Sequence, residues 1–163
     1  MTECRRYLCW MRTSCAVAVL VVAGSVAAGC GEAAAAEPLT GTSWQLVSIE
    51  SMAPEEQPST TIDDPEKFTV EFGDDGRATF TVDCNRGSAT WQAEPAATDP
   101  AADESGGLTF GPLALTRMFC PQPSADTQVA AALGRVRSYL LSDGQLHLSM
   151  EADSGIMHWK PAG

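Results

Sequence analysis

Cysteines, histidines and carboxylates are the groups in this 163-residue chain that could do chemistry, and it holds six, two and twenty-one of them. Nucleophilic hydrolysis needs a Ser or Cys held against a base that is itself oriented. The chain has neither a G-x-S-x-G elbow to present such a serine nor an H-E-x-x-H to bind a hydrolytic metal. Phosphate-cradling glycine loops and dinucleotide fingerprints are absent too. His147 and His158 fall on adjacent strands of a closing hairpin, on the face opposite Leu148 and Trp159. They could form a two-histidine site, but two half-exposed strand histidines is the plainer reading, and no metal or other cofactor is expected. The acid pairs Asp63-Asp64 and Asp74-Asp75 lie in turn sequence. General acid–base work needs carboxylates across a cleft, and calcium needs denser oxygen ligands in fixed register, so these pairs read as turn chemistry. Asn85-Arg86, directly after Cys84, is the pair with most scope for binding. Its competing role is structural, with Asn85 in a turn and Arg86 paired with an acid. No catalytic residue is expected.

The cysteines divide by position. Residues 1–14 carry Arg5, Arg6 and Arg12 against Glu3, and residues 15–28 are uncharged and apolar or small. Fourteen residues of helix would span roughly 21 Å, short of the roughly 30 Å hydrocarbon core, so this layout reads as a secretory signal. Its end, Ala27-Ala28-Gly29-Cys30, resembles the lipobox of bacterial lipoproteins, although Leu is usual where Ala27 stands. The resemblance implies a signal peptide over residues 1–29, lipidation at Cys30 and a tether over residues 30–38. The protein would then be anchored on the extracytoplasmic side of the cell membrane. Ordinary cleavage after Ala34-Ala35-Ala36 is the competing reading. Cys4, Cys9 and Cys15 would leave with the signal, so Cys84 and Cys120 remain as the only intramolecular pair in an oxidising compartment. Their bond would stabilise the fold by roughly 3–4 kcal/mol in the chain-entropy model. Two separately buried thiols is the alternative.

Charge narrows the partners. The whole chain carries −11, and the part from Cys30 onward has twenty acids and seven bases, 7 − 20 = −13. Such a surface repels nucleic acid and anionic headgroups alike, so no nucleic-acid partner is expected and any hold on the membrane must come from acyl chains.

The elements that would position these groups alternate with period two. Residues 44–49 read as a strand, and residues 52–66 as a loop. Phe68, Val70 and Phe72 face one way, Gly73-Asp-Asp-Gly76 turns the chain, and Ala78, Phe80, Val82 and Cys84 share the inward face of the return strand. Residues 85–88 read as a turn, Ala89-Thr90-Trp91 as a short strand, and residues 92–107 as a solvated loop. Residues 108–110 resume the sheet. Ser124 is a helix cap, and Val129, Leu133 and Val136 at helical spacing predict one helix running to about Arg137. Strands at 139–141, at 145–150 with Leu146, Leu148 and Met150 inward, and at the end with Met157 and Trp159 complete the chain. Trp44, Trp91 and Trp159 read as core rather than as the lining of a ligand cavity.

Three segments carry a family likeness: Leu39-Thr-Gly-Thr-Ser-Trp44-Gln-Leu-Val, Phe72-Gly-Asp-Asp-Gly76 leading to Cys84-Asn85-Arg86, and Leu115-Thr116-Arg117-Met118-Phe119-Cys120. With Leu146-His-Leu148 near the end, the chain over residues 39–162 resembles the META (HslJ-like) domain. The resemblance implies an α+β, mainly antiparallel β fold: a compact sheet or partial barrel of about seven or eight strands with one late α-helix, as the periodicity also suggests. It further implies a non-enzymatic accessory protein of the cell envelope, associated with stress, drug tolerance, secretion or virulence. The partner would be an envelope protein or a small apolar ligand. The family usually carries Gly shortly before the Cys-Asn pair, where this chain has Thr81-Val82-Asp83, which puts the strand geometry there in question.

Overall fold

The structure, a computed structural model, describes residues 38–55, 57–96 and 104–163. The expected signal peptide over residues 1–29, Cys30 and residues 31–37 of the expected tether lie outside the described residues. Strands β1 (Ser43–Ser51), β3 (Phe68–Phe72), β4 (Arg77–Val82), β5 (Asn85–Pro95), β6 (Glu104–Phe110), β8 (Val136–Ser142), β9 (Gln145–Met150) and β10 (Gly155–Pro161) pair antiparallel, each with the next. β10 then pairs back onto β1, from Trp44 opposite Pro161 to Ser51 opposite Gly155. The described sheet is thus a closed eight-stranded barrel, and closure removes the exposed edges that an open sheet would leave. Two short strands lie off the ring: β2 (Thr60–Thr61) pairs with β1, and β7 (Ala114–Leu115) pairs with β5.

The alternation in sequence sets the two faces. Phe68, Val70 and Phe72 on β3, and Ala78, Phe80 and Val82 on β4, are all buried. Gly76 turns between them at φ 73°, a region glycine enters without penalty. Trp44, Leu46, Trp91, Leu146, Leu148, Met157 and Trp159 join the same cluster, so the barrel's interior is filled by side chains.

Four expectations about the elements are corrected. β4 stops at Val82, and Asp83-Cys84 forms the turn into β5, so Cys84 does not continue the inward face. Asp83 adopts φ 55°, a left-handed conformation that Asp tolerates better than most residues and that turns the chain into β5. Residues 85–88 are therefore the start of the eleven-residue strand β5 rather than a turn. Residues 92–95 and 104–107 also belong to strands, because the β5–β6 ladder runs from Trp91 opposite Phe110 out to Pro95 opposite Gly106. Backbone pairing overrides polar composition there.

The helix, α1 (Asp126–Leu133), is also shorter than its pattern. Gly134 ends it, and Val136 opens β8. Val129, Ala132 and Leu133 still enter the core. Val136 is buried from a strand and kept the helical spacing only by coincidence of position.

Candidate functional site

The turn between β4 and β5 and the segment after β7 meet at the disulfide. Cys84 and Cys120 are bonded, with their Cα atoms 5.5 Å apart. Cys120 is buried and Cys84 half-buried at its turn. Asn85, first residue of β5, is the buried polar side chain among the described residues, at 5% exposure. Its Oδ1 accepts from the Met118 N–H at 2.8 Å and from Thr116 Oγ1 at 2.9 Å, while its Nδ2 donates to the Met118 carbonyl at 3.2 Å. The side-chain amide thus bonds both backbone groups of Met118, as a neighbouring strand would. This accounts for its burial, since a buried amide without partners is costly.

The rest of the brace is backbone. Thr116 N–H donates to the Arg86 carbonyl at 2.9 Å, and Arg86 N–H donates to Thr116 Oγ1 at 3.1 Å. Gly87 lies opposite Leu115, and a Cβ there would stand 2.2 Å from the Ala114 carbonyl oxygen, so β7 can dock only on a glycine. On the far side of the turn, Ser124 Oγ donates to Asp83 Oδ2 at 2.6 Å and accepts the Asp126 N–H at 3.2 Å. Ser124 does tie off the helix start, one residue before the Ala125 cap position.

The expected pairing of Arg86 with an acid is not seen among the described residues. Its guanidinium donates to the carbonyls of Asp83 and Asn85, each at 3.0 Å, and secures the turn. Both candidate binding residues therefore act on the backbone around them. They hold out a loop that sequence reasoning did not single out as functional. Met118 is 60% exposed and Phe119 90% exposed, although Phe119 directly precedes the buried Cys120. An open depression bordered by Leu113, Leu115, Arg117, Phe119 and Thr127 runs beside it. The signal was present in the sequence as two large apolar residues just before a bonded cysteine, but exposure is a property of the fold.

The tryptophans are where the composition placed them. Trp44, Trp91 and Trp159 are buried, Phe72 packs edge-on against Trp91 at 5.1 Å, and Trp44 Nε1 donates to Thr42 Oγ1 at 2.8 Å.

A small antiparallel barrel with one short helix, braced by a disulfide at a loop, defines the structural class. Within it, residues 37–162 match the META domain, and the chain belongs to that family. The fold is similar to the crystal structure of a DUF4847 family protein from Bacteroides vulgatus, with a TM-score of 0.53 at 16% identity, over 76% of this chain and 94% of that one. At that identity the likeness concerns the fold alone. No functionally curated protein is detectably similar to the chain.

Proposed function

We propose that this META-domain protein is a lipid-anchored, non-enzymatic binding domain of the bacterial cell envelope, and that it engages an apolar patch on a partner protein through Met118 and Phe119. One observation carries the reading: a phenylalanine left 90% exposed on a loop that Asn85 and the Cys84–Cys120 bond fix in place. A fixed apolar side chain loses little conformational freedom on binding, which is how anchor residues gain affinity. The filled interior favours this surface over an internal site for a small apolar ligand. The net −13 of the chain from Cys30 onward disfavours insertion of the loop into an acidic bilayer. The lipid anchor rests on Ala27-Ala28-Gly29-Cys30 and would place the domain close to envelope proteins.

A photo-crosslinking amino acid at position 119, in cells expressing the full chain, tests the surface. Discrete protein adducts at 119, absent when the probe replaces the exposed Thr79, are expected. Equal labelling at both positions, or adducts to lipid alone, would overturn the reading. Intact mass of the protein recovered from membranes tests the anchor: acyl chains on a chain beginning at Cys30 are expected, and an unmodified chain beginning at Glu37 would remove it.

A further inference from the structure

On the outer face of the barrel, far in sequence from the braced loop, β9 and β10 set His147 directly opposite His158. The two rings stand edge to face with centroids 5.1 Å apart, and their Nδ1 atoms are 2.9 Å apart. Both are half-buried strand histidines, as expected, and they also meet in the two-histidine arrangement weighed beside that reading. Glu50, on β1 at the other side of β10, places Oε2 at 3.2 Å from His158 Nε2. A carboxylate only accepts, so Nε2 of neutral His158 carries the proton and its Nδ1 presents a lone pair toward His147.

We propose that His147 and His158 form a two-nitrogen site for a divalent transition ion of the copper(II) class, with Glu50 orienting His158 from behind. Metal–imidazole bonds are about 2.0–2.1 Å, so an ion bonded to both Nδ1 atoms at their present spacing would subtend about 90°. That spacing is the one set by the hydrogen bond between the rings, so the rings turn to admit the ion; copper(II) binds nitrogen donors most tightly of the divalent series. Among the described residues no three His, Cys, Asp or Glu side chains group as a ligand set, so the remaining positions of a bound ion would be left to water. Glu50 is a positioning residue: its hydrogen bond holds the tautomer and raises the basicity of the ligand, as carboxylates behind metal-bound histidines do. Binding moves the His147 proton from Nδ1 to Nε2 through solvent, so the neutral pair takes up the ion without releasing a proton.

The test uses the full, tag-free chain in detergent, with its free thiols alkylated so that cysteine cannot bind the probe, and copper(II) chloride alone. Electron paramagnetic resonance is expected to show one copper per chain with hyperfine splitting from two nitrogens. His147→Asn and His158→Asn should each weaken binding and remove one nitrogen from the spectrum, and Glu50→Gln should weaken it about 10–100-fold while keeping both nitrogens. On the unsubstituted chain, copper should broaden the ring resonances of His147 and His158 before any other, a result independent of how the variants fold. Copper that gives an oxygen-only spectrum, or broadening spread over the acidic surface and unchanged in the histidine variants, would overturn the proposal.

Discussion

The braced loop and the histidine ladder are both assembled from residues distant in sequence, yet they are held by different physics. At the loop, residues 83–86 meet residues 116–120 through a covalent bond, a buried amide and reciprocal backbone bonds. At the ladder, Glu50, His158 and His147 meet only because β1, β10 and β9 lie in register, and their polar atoms stay half-exposed. The imidazole pair and the Asn85 amide bonds are alike part-buried, but the loop has in addition a covalent bond that water cannot replace. The contrast teaches that the loop is built to stay in one conformation, whereas the ladder is free to change partner.

The strongest challenge to that contrast is to open the disulfide. Replacing Cys84 and Cys120 together by Ser should lower unfolding free energy by roughly 3–4 kcal/mol, measured by urea denaturation, because the loop it closes spans a sequence separation of 36. A loss below about 1 kcal/mol would mean that the amide and backbone bonds hold the loop alone. Asn85→Ala comes next, with an expected cost of about 2–3 kcal/mol from stripping both Met118 backbone groups of a buried partner. In that variant, amide exchange at Met118 should accelerate while exchange along β9 and β10 is unchanged; acceleration everywhere would make Asn85 a global core residue instead.

The smallest effect belongs to the ladder and depends on pH. Burial foremost, then the charge of His158, lowers the pKa of His147 from its ordinary 6.5, with Asp143 opposing. The folded protein therefore favours neutral His147. Stability is complete above 6.5 and falls as pH drops through the lowered value, since folding then holds fewer protons than the unfolded chain. In chelator-treated protein, His147→Asn should flatten this part of the stability curve between pH 8 and pH 5, read from urea midpoints, and leave the value at pH 8 nearly unchanged. A parallel curve for the variant would place the acid sensitivity on other groups.

How much was legible differs between the two regions. The hairpin of β3 and β4 could be read residue by residue, because its inward positions alternate with charged and hydroxylated ones and Gly73 to Gly76 marks the turn. The Cys84–Cys120 pair followed from cysteine number and the reading of the first thirty residues. The start of β5 was misread because Asn85, Arg86, Gly87 and Ser88 favour turns locally, and only pairing with β4 and β7 makes them a strand. Similarly, Val136 fits the helical period, but Gly134 and the β8–β9 ladder decide against it.

By itself the sequence determined the antiparallel sheet, the late helix and the family, and it narrowed the cysteines to one candidate pair. These depend on side-chain period, turn residues and composition, all of which are local or countable. Only the tertiary structure decided that the ring of strands closes through β1 and β10, that Asn85 turns inward to hold Met118, that Phe119 stays outside, and that Glu50 reaches the histidine pair from β1. Each of these depends on which strands become neighbours and in what register, and register is set by the packing of the whole core rather than by any segment within it.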